Sequence, residues 1–246
     1  MSDFTFDYLL DKKISIFQPV NGYRASSDAV LLSSLINNLK SDENILDVGS
    51  GTGGISLCLA YRFRKNQIFG LELQPELAKL SNLSAKENGF DNLTYFNCDI
   101  KEKKLPVKPC SFNHVISNPP YSLNDMPSPN VSKALAHNHS GMDLNLWILF
   151  CLKMLKPFGY LYLINRAEAV TQILTTLHSK AGNIQLIPLY SKKEQNAKRV
   201  MIIAQKDSKT PTKILPPLYT HNDDGSYTTQ AQQILREGKT YKAIDN

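Results

Sequence analysis

The sequence predicts an α/β protein: a mostly parallel sheet with helices on both faces and an antiparallel last strand. Three observations carry this. From residue 43 onward, short apolar runs alternate with stretches of helical periodicity, the pattern of a parallel sheet whose crossovers are helices. The first such run, "ILDVGSGTGG", ends in a glycine loop that opens a helix. The last two runs are joined by a polar link too short for a helix, so they pair antiparallel.

Each element follows from local signals. "SSDAVLLSSLINNL" reads as a capped helix, with Ser26, Ser27 or Asp28 as N-cap. The first strand is "ENILDVGS". In "GISLCLAYRFR", Ile55, Leu59 and Phe63 recur every four residues, so it is helical. "QIFGLEL" is the second strand, and "PELAKLSNLSAKENG" a helix with proline near its start and glycine past its end. "NLTYFNCDI" and "FNHVISN" are the third and fourth strands. "DLNLWILFCLKMLKPFG" is an apolar helix stopped by Pro157 and Gly159, followed by the strand "YLYLIN" and the helix "EAVTQILTTLHSKAG". "IQLIPLY" and "RVMIIAQK" form the closing hairpin. The chain divides into an N-terminal cap segment (1–42), a core (43–206) and a polar, proline-bearing extension (207–246), expected to be an appendage to one compact domain.

At 246 residues, with 42% hydrophobic and 20% charged, the chain supports a full core. No apolar run reaches the roughly 20 residues that a membrane helix needs. The start, "MSDFTFDYLLDKK", carries acids where a signal peptide carries positive charge, so a cytoplasmic, membrane-free protein is expected. Cys58, Cys98, Cys110 and Cys151 lack C-x-x-C spacing and sit in apolar stretches, which predicts reduced core thiols and no metal. A net charge of +6 favours an anionic macromolecular partner without demanding one.

Parallel sheets bind ligands beyond the carboxyl ends of their strands, where strand order reverses. Gly49 and Gly51 allow a tight turn and close approach of a ligand to bare backbone, and the following helix start exposes unpaired N–H groups. Gly49, Gly51 and Gly54 also satisfy the dinucleotide pattern G-x-G-x-x-G. Glu72, 21 residues after Gly51, is placed to chelate ribose hydroxyls. The glycines and Glu72 alone leave a nicotinamide dinucleotide and S-adenosylmethionine both open.

Asp47 before the loop and Asp99 at the third strand's end tip the balance. "ILDVGSGTGG", "GLELQ", "NCDI" and "NPPY" resemble the successive motifs of class I S-adenosylmethionine-dependent methyltransferases, over residues 43 to about 206. The resemblance implies a Rossmann-like, seven-stranded sheet whose last strand is antiparallel. It implies that Asp47, Gly49, Gly51 and Gly53 underlie the methionine part of the cofactor, and that Glu72 binds the ribose. Asp99 then accepts a hydrogen bond from the adenine amine, with Leu73, Ile100 and Asn118 also against the cofactor.

"NPPY", at the fourth strand's end, suits a particular chemistry. A planar exocyclic amine is a poor nucleophile because its lone pair is delocalised. The Asn118 side-chain oxygen accepts one N–H and the Pro119 carbonyl the other, which favours the pyramidal geometry that points the lone pair at the methyl. Pro120 stiffens the turn, and Tyr121 stacks on the flat target.

Nucleic-acid amines and protein glutamine share this clamp. "FQPVNGYRASSDAVLL", "NPPY" and the tail "RVMIIAQKDSKTPTKILPPLYTHNDDGSYTTQAQQILR" resemble bacterial tRNA adenine-N6 methyltransferases that modify valine tRNA beside the anticodon. That resemblance implies that Arg24 meets the cofactor carboxylate, with Asp28 supporting it or capping the helix. The run "ALAHNHS" departs from the family's pattern, and His137 and His139, lacking cysteine or acidic partners, read as solvent-exposed. Lys192, Lys193, Lys198 and Arg199 border the closing hairpin, where they either track RNA phosphates or cover a solvated tip. The sequence therefore predicts an S-adenosylmethionine-dependent adenine-N6 tRNA methyltransferase, monomeric and without an obligate protein partner. Alternatives are a protein-glutamine methyltransferase, disfavoured because no helical recognition domain precedes the core, or an enzyme of ribosomal RNA or DNA. A non-catalytic RNA-binding protein is the remaining alternative.

Overall fold

The computed structural model describes residues 3–120 and 143–242. The core strands are β3 (Ile45–Val48), β4 (Ile68–Glu72), β5 (Leu93–Asn97), β6 (Phe112–Ser117), β7 (Leu155–Arg166), β8 (Ala181–Tyr190) and β9 (Arg199–Lys206). They are preceded by β1 (Phe4–Leu9) and β2 (Ile14–Pro19), and followed by the two-residue strands β10 (Lys213–Ile214) and β11 (Leu218–Tyr219). The helices are α1 (Ser27–Ser33), α2 (Gly54–Arg62), α3 (Pro75–Glu87), α4 (Leu144–Met154), α5 (Val170–Leu177) and α6 (Thr229–Leu235).

The main sheet runs β10-β8-β9-β7-β6-β3-β4-β5, with β11 also beside β8. β9 is antiparallel to both β7 and β8, while β3 to β7 are mutually parallel. The expected seven-stranded, mostly parallel sheet is thus present, widened by β10 and β11. From β3 the chain moves through β4 to β5, then crosses back so that β6 lies on the other side of β3. That reversal opens a crevice between the carboxyl ends of β3 and β6, where ligands bind in such sheets.

Both faces of the sheet are buried, so β3 reads as a continuous buried run. One face packs Leu31, Leu57, Leu59 and Ile234 together with Ile14 and Ile16 of the N-terminal hairpin. The other packs Trp147, Ile148, Cys151 and Met154 of α4 with Ile173 and Leu177 of α5. Among the described residues no helix is long and apolar enough to cross a membrane.

Four sequence expectations are corrected. The β1–β2 hairpin went unread because its turn uses Leu10, Asp11 and Lys12 at positive φ rather than glycine or asparagine. Helix α4 stops at Met154 instead of Gly159, since Pro157 disfavours a helical conformation at Lys156; β7 takes over from Leu155. The segment after 206 is no appendage: Leu218, Ala231, Ile234 and Tyr241 are buried in the core, and the Tyr241 amide donates to the Ser34 carbonyl at 2.9 Å. Of the four free cysteines, Cys110 is exposed and the other three are buried.

Candidate active site

The glycine loop leaves β3 at the crevice and is pinned by backbone bonds from Gly49 and Ser50 to the Leu71 carbonyl, at 2.9 and 3.0 Å. Gly49, Gly51 and Gly53 all have positive φ, a region that costs other L-residues roughly 1–2 kcal/mol. At all three the space is also taken: a Cβ on Gly53 would lie 2.4 Å from the Tyr95 hydroxyl. A Cβ on Gly51 would lie 2.4 Å from the Tyr23 ring, and one on Gly49 would lie 2.8 Å from the Trp147 ring. Three aromatic side chains, Tyr23, Trp147 and Tyr95, therefore close on the loop's bare backbone from different elements.

Glu72 ends β4 beside this loop. Its Oε2 accepts the Gly51 N–H and its Oε1 the Gln74 N–H, both at 2.8 Å. A carboxylate oxygen has more than one lone-pair site, so both keep acceptor capacity for ribose hydroxyls. Burial raises the Glu72 carboxyl above its usual range, opposed by these backbone bonds. Asp47 is fully buried in β3 and receives the Ser56 hydroxyl on Oδ2. Desolvation first, and then the charge of Glu72, raise it to about 7 despite the Ser56 bond. Tyr23 is raised for the same reasons, with Asp47, Glu72 and Asp28 as its charged neighbours. Asp99 follows β5; its Oδ1 caps the Lys101 amide at 2.9 Å. Leu73 is partly exposed, its carbonyl holding the Asn97 side chain at 2.8 Å, and Ile100 packs against the second core cluster.

On the other side of the crevice, Asn118, Pro119 and Pro120 continue from β6. Ser117, just before the asparagine, donates to the Val48 carbonyl at 2.7 Å and accepts the Trp147 Nε1–H at 2.9 Å. Trp147 thus ties the strand carrying Asn118 to the strand carrying the glycine loop. Tyr121, His137 and His139 lie outside the described residues.

Several buried polar atoms here have no hydrogen-bond partner. Among the described residues, Asp47 Oδ1, Ser50 Oγ, Thr52 Oγ1 and Asn118 Oδ1 are four of five such side-chain atoms. Buried polar atoms are normally satisfied, so their concentration around one loop marks a ligand site. An S-adenosylmethionine molecule fits this donor set: acids for its ammonium and ribose groups, hydroxyls and bare backbone for its methionine part.

Two residues expected at the cofactor have protein partners in the structure. Arg24 is turned toward the hairpin, where Nη2 pairs with Asp7 at 2.6 Å and Nη1 donates to Thr5 Oγ1 and the Pro19 carbonyl at 2.9 and 3.0 Å. It is therefore already engaged, and its acid is Asp7, not Asp28. The N-cap of α1 is Ser26; Asp28 is buried in the first turn of that helix and pairs with Arg199 Nε at 2.6 Å. Arg199 thus holds an ion pair with Asp28 while its side chain stays part-exposed. Lys192 Nζ donates to the Asp223 carbonyl at 3.0 Å, while Lys193 and Lys198 are exposed. The sequence reading missed Tyr23, Ser50, Thr52, Ser117 and Trp147. The first three sit inside motifs already quoted, and Trp147 is the chain's single tryptophan.

This sheet order, with its glycine loop facing an Asn-Pro-Pro turn across the reversal point, defines a methyltransferase, and a family model described as a methyltransferase domain matches residues 39–216. The chain belongs to that family. Among curated relatives, the tRNA1(Val) (adenine(37)-N6)-methyltransferase of Porphyromonas gingivalis W83 is 29% identical over 168 residues, 66% of each chain and just under two thirds. The protein of the same name from Actinobacillus pleuropneumoniae serotype 5b is 26% identical over 216 residues, 87% of this chain and 89% of its own. A predicted O-methyltransferase from Agrobacterium tumefaciens superposes with a TM-score of 0.73 over 89% of this chain and 99% of its own; at 22% identity that likeness concerns the fold alone.

Proposed function

We propose that this methyltransferase transfers a methyl group from S-adenosylmethionine to the N6 amine of an adenine in tRNA, next to the anticodon of a valine tRNA. The observation that carries the reading is the buried, unpartnered Asn118 Oδ1 at the crevice. An unsatisfied buried acceptor costs about 1–3 kcal/mol, a cost removed when a substrate N–H arrives. Bound S-adenosylmethionine supplies an electrophilic methyl on a sulfonium sulfur.

In this reading, Asp47, Gly49, Gly51, Gly53, Glu72, Leu73, Asp99 and Ile100 hold the cofactor. Asn118 Oδ1 and the Pro119 carbonyl accept hydrogen bonds from the two amine N–H groups and turn the nitrogen lone pair toward the methyl. The prolines fix both acceptors, and Tyr121 stacks on the extruded base. No base is needed before transfer, because the proton becomes acidic once nitrogen carries positive charge. Catalysis is then largely positioning. The names of the relatives support tRNA as the substrate. The reading has the enzyme acting as a cytoplasmic monomer, with Lys193 and Lys198 as RNA contacts.

The test uses labelled cofactor with bulk tRNA, ribosomal RNA, DNA and protein in separate reactions. Label should enter tRNA and digest to N6-methyladenosine. Asn118→Ala should lower turnover by about 10²-fold or more while cofactor affinity changes by less than about tenfold. Full turnover in that variant defeats the clamp, and label in the protein fraction would reassign the substrate to glutamine.

A further inference from the structure

We infer that the outer face of the β1–β2 hairpin is a stacking platform for unpaired bases of the RNA substrate, an assignment that rests on the tRNA reading above. The register pairs Phe4 with Pro19, Phe6 with Phe17 and Tyr8 with Ser15, so these six residues share one face. Phe4, Phe6 and Tyr8 are 48%, 42% and 49% exposed.

The polarity of β1 is inverted. A surface strand normally turns polar side chains to water, yet here the aromatic rings face out. The polar residues Thr5 and Asp7 face the other way and are held in a network: Asp7 accepts from Thr5 at 2.6 Å, Gln18 at 3.0 Å and Arg24 at 2.6 Å. Scattered exposed apolar residues need no explanation, but a contiguous aromatic stripe marks a contact surface. The opposite side of β2 is anchored independently. Ile14 and Ile16 are fully buried, and the Ser15 and Phe17 amides donate to Asn88, which caps the end of α3, and to Ser84 of α3 at 2.8 and 2.9 Å. The stripe is therefore not needed to hold the hairpin down.

Its geometry suits flat ligands. Phe4 and Phe17 meet edge to face at 5.5 Å, Phe6 and Tyr8 edge to face at 5.3 Å, and Phe6 and Phe17 at 5.0 Å. The rings are fixed against one another before any ligand arrives. Alternate residues on a strand stand roughly 6.5–7 Å apart, and sheets in RNA-recognition modules use aromatics so arrayed to stack two or three bases. The shared face carries no charged residue, which suits base planes better than a phosphate path. Lys12 is exposed at the hairpin's turn, Arg24 is part-exposed at its open end, and the chain's net charge is +6.

The platform also adjoins the catalytic crevice. Arg24 clasps the open end of the hairpin while its neighbour Tyr23 lies on Gly51 of the glycine loop. Bases stacked on the hairpin would thus flank the nucleotide delivered to Asn118.

The test compares wild type with Phe6→Ala, Tyr8→Ala, their double variant and Phe6→Tyr, which retains a ring. Binding of unmodified tRNA is followed by fluorescence anisotropy at fixed salt, alongside cofactor affinity, kcat, KM and sedimentation. Each alanine should weaken tRNA binding roughly tenfold and raise KM in parallel, with kcat and cofactor affinity unchanged and Phe6→Tyr close to wild type. Unchanged tRNA affinity in the double variant overturns the platform. So does wild-type self-association that the double variant abolishes, which would assign the face to a second copy of the chain. If wild type binds tRNA through these rings yet methylates no RNA, the platform stands and the transfer reading falls.

Discussion

Asp47→Asn offers the sharpest test of the site's electrostatics. Asp47 is fully buried, one oxygen bonded by Ser56 and the other without a partner. Its carboxyl is raised from 3.8 to about 7, chiefly by desolvation. Because the folded value lies above the unfolded one, the protonated acid stabilises the fold fully below pH 3.8, and this contribution fades as pH rises toward 7. Between pH 5 and pH 8 roughly two pH units of that rise are traversed, each worth about 1.36 kcal/mol. Wild type should therefore lose on the order of 3 kcal/mol relative to Asp47→Asn over that interval. Taking the difference between the two proteins cancels the titrating groups that do not feel Asp47, and also the fixed cost of the new amide; Glu72, coupled to Asp47, stays in the difference. Urea unfolding of cofactor-free protein at pH 5, 6, 7 and 8 measures it. A wild-type-minus-variant difference that stays flat across the series refutes a raised Asp47. The same variant should bind S-adenosylmethionine less tightly even where it is the more stable protein, as expected of a buried charge kept for a ligand.

Two further outcomes follow from the aromatic contacts on the glycine loop. Trp147→Phe removes the bond to Ser117 and also the Cζ2 and Cη2 atoms that lie against Gly49, so it should cost about 1 kcal/mol of stability or more. It should lower kcat roughly tenfold with little change in cofactor affinity; adding Ser117→Ala should give less than the sum of the single effects, since both act through one bond. Gly51→Ala places a methyl 2.4 Å from the Tyr23 ring at φ +56. Calorimetry should show cofactor binding weakened at least tenfold, and urea unfolding a loss of about 2 kcal/mol or more.

The α/β alternation was legible in the sequence because each core element carries its own local signal. β3 and β6 are short apolar runs ended by glycine or by Asn-Pro-Pro, and α3 is bracketed by Pro75 and Gly89. Elements lacking such punctuation were missed. The β1–β2 turn bends through Leu10, Asp11 and Lys12, which give no turn signature, and the burial of Leu218 and Ile234 depends on where the polar tail folds back. Charged residues were the least legible. Arg24, Asp28 and Arg199 fit ligand roles by motif, yet they pair with Asp7 and with one another across long sequence separations.

The sequence by itself determined the alternation of strands and helices in the core from β3 to β9, the glycine loop, and the Asn-Pro-Pro turn that ends β6, because propensity, proline geometry and glycine freedom act within a few residues. Tertiary structure alone decided that Tyr23 and Trp147 close on the loop, that Asp28 belongs to Arg199, and that the aromatic side of β1 faces water. Those outcomes depend on which surfaces meet across the sheet, and burial and ion pairing are settled by contacts between residues far apart in the chain.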